Sequence, residues 1–112
     1  MAMRSSGVFA PAIMRRLIVE RRAEREISVA SKWWRKNRHK APSAFDDDLA
    51  DALIELRAEP GLGIPVAHTK RPNVRRLTLQ RVRYYVYYRL NEEDALVVLA
   101  IWHTSRRPPR GL

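Results

Sequence analysis

The apolar positions of this chain change their spacing at several points, and each change marks an element. Residues 1–13 follow no helical or strand period and contain Ser5, Ser6, Gly7 and Pro11, so a poorly ordered N-terminal extension is expected there. Arg16-Leu17-Ile18-Val19 forms a short run whose β-branched residues suit a strand. From Glu20 to His39, Ala23, Ile27, Ala30 and Trp34 recur at helical spacing, Val29 and Trp33 widen the stripe, and basic residues fill much of the remainder. Pro42 closes this helix. Ser43 followed by Asp46 has the form of a capping box, and Asp46, Asp47 and Asp48 stand where a helix dipole favours negative charge. Phe45, Leu49, Ala52, Leu53 and Leu56 line one face of the second helix, and Pro60-Gly61 ends it. The short link between the two predicts an antiparallel helix hairpin, residues 20–39 with 43–59.

A Gly/Pro-rich loop over residues 60–73 follows. Strand-like runs then cover Val74–Gln80, Val82–Leu90 and Ala95–His103, with Asn91-Glu92-Glu93-Asp94 turning the last pair. The expected fold is α+β in the order β-α-α-β-β-β, its helix hairpin packed on one face of an antiparallel sheet. Trp34, Leu49, Leu53, Leu56, Leu77, Tyr84, Val86 and Leu99 are the expected core. One domain is predicted over residues 14–107, with 108–112 as a tail because Pro108 stops the last strand.

The run Val82–Leu90 holds all four tyrosines of the chain. Alternation sends Val82, Tyr84, Val86, Tyr88 and Leu90 toward the helices and Arg83, Tyr85, Tyr87 and Arg89 to the opposite face. Arg76 on the preceding strand joins that second face. Tyrosine and arginine together make an expected binding surface, although stacked Arg–Tyr pairs are also ordinary sheet decoration.

Charge sharpens this picture. The 112 residues carry 22 Lys+Arg and 12 Asp+Glu, a net charge of +10. Residues 1–41 have 11 basic and 3 acidic side chains, residues 42–68 have 1 and 6, and residues 69–112 have 10 and 3. An acidic middle between two basic ends implies a polyanionic or acidic partner, held less tightly as salt rises. The absence of cysteine excludes disulfides, Cys-based zinc sites and thiol nucleophiles. No apolar run approaches the roughly 18–20 residues that span a membrane. A cytoplasmic protein is expected.

Catalytic motifs are scarce. The sequence has no phosphate-binding glycine loop, no HExxH and no nucleophile elbow, and calls for no metal or cofactor. His103, ending the last strand ahead of Arg106 and Arg107, is the candidate acid or base; arginines beside it would stabilise the transition state of phosphodiester cleavage. The plain alternative is a hydrogen-bonded structural histidine.

VRRLTLQRVRYYVYYRL, an acidic turn and ALVVLAIWHTSRRP together resemble the RelE/ParE superfamily of bacterial toxins from type II toxin–antitoxin modules, and LADALIELRAEPGLGIPV resembles that family's second helix and following loop. The likeness runs from about Met14 to Arg107. It implies a cognate antitoxin as partner and two candidate activities. ParE-type toxins bind and poison DNA gyrase; RelE-type toxins cut mRNA on the ribosome. The nuclease branch often has a basic residue three positions before the tyrosine of its central strand. With Tyr87 as that tyrosine, the position holds Tyr84, and alternation sends Arg83 to the opposite face. Some nuclease members end the last strand in a proton-handling His or Tyr, as at His103. The ParE-like reading asks less of these residues. It makes Arg76, Arg83, Tyr85, Tyr87, Arg89, Arg106 and Arg107 the target- or antitoxin-binding set.

Overall fold

The computed structural model describes residues 14–112; the expected N-terminal extension lies outside them. Strand β1 (Leu17–Val19) leads into α1 (Arg21–Asn37) and α2 (Ala44–Ala58), followed by a short 3-10 turn at Pro60–Leu62. Then come β2 (Ile64–Pro65), β3 (Arg75–Leu79), β4 (Tyr84–Leu90) and β5 (Leu96–His103). The sheet order is β1-β5-β4-β3-β2. It is mixed rather than wholly antiparallel, because β1 runs parallel to β5 with Leu17 opposite Leu96. β2 was hidden in the expected loop. It has only two residues and one is proline, which a sheet tolerates at an edge.

Both helices lie on one face of the sheet. Ala23, Ala30, Phe45, Leu49, Ala52 and Leu56 meet Leu79, Val82, Val86, Tyr88, Leu96, Val98 and Ile101 in a single core. Trp34, Leu53, Leu77 and Tyr84 pack at its margin, half-buried. The capping box does not form. Ser43 has φ −97° and ψ 6°, outside the extended conformation that aims a capping hydroxyl at the first turn. Its hydroxyl donates to Asp47 instead. Asp46 pairs with Arg35 of α1, and Asp48 takes two hydrogen bonds from Arg81 in the β3–β4 turn. The acidic first turn thus ties α2 to its neighbours.

The other face is covered as well. Val74, Tyr87, Val97, Leu99, Ala100 and Leu112 form a second buried layer. The C-terminal tail folds back over the sheet. Trp102 Nε1 donates to Arg107 O, Arg22 to Arg110 O, and Arg71 N to Leu112 O.

One irregularity sets the faces of β5. Tyr87 pairs with Ala100 and Tyr88 with Val98, so Leu99 is an extra residue in the ladder. Strict alternation from Leu96 would carry His103 to the tail side and Trp102 to the helix side. The bulge reverses both.

Candidate functional site

Toward its C-terminal end, α1 forms one wall of an open groove of about 820 Å³. The floor is apolar, with Ala30, Trp34, Val82, Tyr84 and Ile101. Arg25, Arg38, Arg81, Arg83, Arg106 and His103 line it too, and Glu26 is its one carboxylate. Glu26 is occupied by Arg22 and by the backbone N–H of Ile101. Trp33, 43% exposed, and Val29, 70% exposed, stand on the outer part of the α1 wall. Arg38 lies over both indoles, 4.8 Å from Trp33 and 5.6 Å from Trp34. Such stacking holds the guanidinium in place at little cost to its charge.

The opposite wall is built by the β3–β4 turn and the end of β5. Arg83 adopts φ 67°, which places it in the turn rather than on the strand. It therefore lines the groove beside Tyr84 and His103, contrary to the opposite-face position expected from alternation. Tyr84 sits edge-on between Phe45 and His103, each ring 5.0 Å away. Burial raises its pKa above the ordinary tyrosine value, so its hydroxyl stays protonated at neutral pH.

His103 is constrained chemically. Its Nδ1 accepts the backbone N–H of Ser105 at 3.1 Å and lies 2.7 Å from Ser105 Oγ. A backbone N–H only donates, so the bond assigns the lone pair to Nδ1 and the proton to Nε2. In this tautomer Nε2 offers a proton rather than a lone pair.

The sequence-predicted binding set divides among three places. Arg83 and Arg106 join His103 in the groove. Arg107 lies outside it, in a recess with Trp102 and Arg110 that Arg106 also lines. Arg76, Tyr85, Tyr87 and Arg89 belong to the tail-side face, which is less open than expected. Tyr87 is 3% exposed beneath the second layer. The Arg89 side chain is 11% exposed, donating to Pro72 O, and Arg76 stacks 4.2 Å over Tyr85. What alternation missed is the α1 wall. Its signal was present in Val29 and Trp33, an i, i+4 apolar pair beside the core stripe and among basic residues.

The ParE toxin model, described as the toxin of the type II toxin–antitoxin system parDE, matches residues 17–108. The chain belongs to the ParE toxin family. It is thus a toxin of the RelE/ParE superfamily, and the family implies an antitoxin partner. Among solved structures, a chromosomal ParDE toxin–antitoxin system from P. aeruginosa is similar at TM-score 0.65 and 21% identity, covering 82% of this chain and 98% of that one. The isolated E. coli RelE toxin is similar at TM-score 0.56 and 19% identity, covering 83% and 87%. At these identities the two structures share the fold. No curated protein matches the chain. No helix among the toxin's described residues is long and apolar enough to cross a membrane.

Proposed function

We propose that this toxin is a ParE-like inhibitor of DNA gyrase, acting in the cytoplasm through a protein interface and neutralised by a cognate acidic antitoxin. The observation that carries the reading is His103. With Nδ1 engaged by the Ser105 N–H and the proton on Nε2, it is arranged to give a proton rather than take one. Glu26, the groove's one carboxylate, is already held by Arg22 and the Ile101 N–H, so no free general base among the described residues faces the groove. The groove around it has the composition of a protein-binding surface, since exposed tryptophan and stacked arginine are the residue types in which interface energy concentrates.

The second reading is the RelE-like, ribosome-dependent mRNA endonuclease. One observation favours it: the bulge and the left-handed Arg83 bring Arg83, Arg106 and His103 to the same groove. Induced expression of variants separates the two. Under the gyrase reading, His103→Ala still arrests growth and gyrase-dependent DNA breaks accumulate. Trp33→Ala then weakens gyrase binding by about 2 kcal/mol, roughly thirtyfold. Ribosome-dependent mRNA cleavage that His103→Ala lowers by roughly 10²–10⁴-fold would establish the nuclease instead.

A further inference from the structure

The C-terminal segment is basic, yet it is fastened down. Trp102, carried to the tail side by the β5 bulge, lies between Arg22 at 5.7 Å and Arg106 at 3.8 Å. Its indole N–H holds the carbonyl of Arg107, and Arg22 holds that of Arg110. Leu112 is 7% exposed in the second layer, which anchors the far end. Pro108 and Pro109 restrict the backbone between these points. Arg106, Arg107 and Arg110 are exposed, and none enters an ion pair among the described residues. Together with Arg22, Trp102 and Pro108 they line a shallow recess of about 560 Å³.

We infer that this recess is a binding site for the phosphodiester backbone of duplex DNA. Three guanidinium groups on a fastened segment suit an anion repeated along a polymer, because little conformational freedom is lost when they engage it. Both neighbours of Trp102 are arginines, so the indole is occupied by cations rather than offered to a base. Binding is therefore independent of sequence and dominated by counterion release. An acidic protein segment fits the patch less well. The apolar floor that would seat its side chains belongs to the α1 groove, while the recess is framed mainly by guanidinium groups. The choice of DNA over RNA rests on the gyrase reading, since gyrase holds duplex DNA beside any protein bound to it.

The test is fluorescence anisotropy of the purified chain with a short labelled DNA duplex, a single-stranded RNA and polyglutamate across a salt series. Replacing Arg106, Arg107 and Arg110 by Gln should weaken duplex binding roughly tenfold or more at low salt. It should also flatten the log-affinity against log-salt slope by about 0.9 for each phosphate no longer neutralised. Lys32→Gln, Lys36→Gln and Lys40→Gln together remove the same charge elsewhere and should leave most of the affinity. The double variant R107Q/R110Q keeps Arg106 on Trp102 and should show a proportionate part of the loss, with thermal unfolding confirming the fold. Equal losses in the lysine and arginine triples would overturn the site, as would tighter binding to RNA or polyglutamate than to the duplex. A wild-type chain that binds DNA through these arginines yet leaves gyrase unaffected would retire the gyrase reading and support the patch. Gyrase poisoning with duplex affinity unchanged in the arginine triple would retire the patch alone.

Discussion

Tyr88 puts its ring into the helix-side core and its hydroxyl onto the chain beyond α2, donating to Pro60 O at 2.6 Å and accepting from Gly63 N at 2.8 Å. The approach requires glycine. A Cβ at residue 63 would lie 2.5 Å from the Tyr88 hydroxyl and 2.8 Å from Arg76 O, and the latter is backbone within β3. Tyr88→Phe strands the buried Gly63 N–H and the part-buried Pro60 carbonyl and should cost about 1–3 kcal/mol. Gly63→Ala should cost a similar amount by overpacking. Denaturant titration should show the double variant losing less than the sum, because both changes disrupt the same close approach. The inward position of Tyr88 was legible from alternation alone; Tyr84, Trp34, Leu53 and Leu77 point inward as expected but are half-buried at the margin rather than in the core. The surroundings of His103 and Arg83 were not legible. His103 depends on the extra residue at Leu99, and Arg83 on a positive φ; neither leaves a mark in the spacing of apolar residues.

Between elements, the loop after β2 is tied to the start of α1 by Glu20, which receives hydrogen bonds from both terminal nitrogens of Arg71. Arg71 also donates its backbone N–H to Leu112 O, so this pair helps seat the tail. The bonds from Arg71 hold the Glu20 pKa below its usual 4.5. A depressed carboxylate contributes its stability above the unfolded value and loses it as pH falls through the folded one. Glu20→Gln should therefore lower stability at pH 7 and make less difference as pH falls below 4.5. The side chains are 33% and 38% exposed, so the gap should stay under about 1 kcal/mol. Urea midpoints at neutral and acid pH measure it; a gap that widens in acid would refute the linkage. The helices were readable because long stripes repeat. The tail's packing was not, since Leu112 is its lone large apolar residue, behind Pro108, Pro109, Arg110 and Gly111, and one residue makes no period. Residues 60–73 hid β2 for the same reason, its partner being a neighbouring strand rather than a pattern of its own.

For the molecule as a whole, the charge of +10 should govern how an acidic antitoxin arrives. Association with an acidic partner should slow steeply with added salt while dissociation changes much less, because long-range attraction steers encounter and close packing governs escape. Stopped-flow mixing across a salt series measures both rates; a flat association rate would show that charge does not guide the meeting. The pairing of the first strand with the last has a different consequence, one of timing. Leu17 finds Leu96, and β5, buried along both faces from Leu96 to Ile101, is synthesised after every other strand of this sheet. Until it emerges, β1 has no neighbour, both hydrophobic layers are open, and the groove lacks Ile101 and His103. A ribosome partway through this message should therefore carry a chain that has neither its core nor a complete groove. Translation that stalls before β5 should yield a substrate for proteases, sparing the cell that makes the poison its unfinished copies.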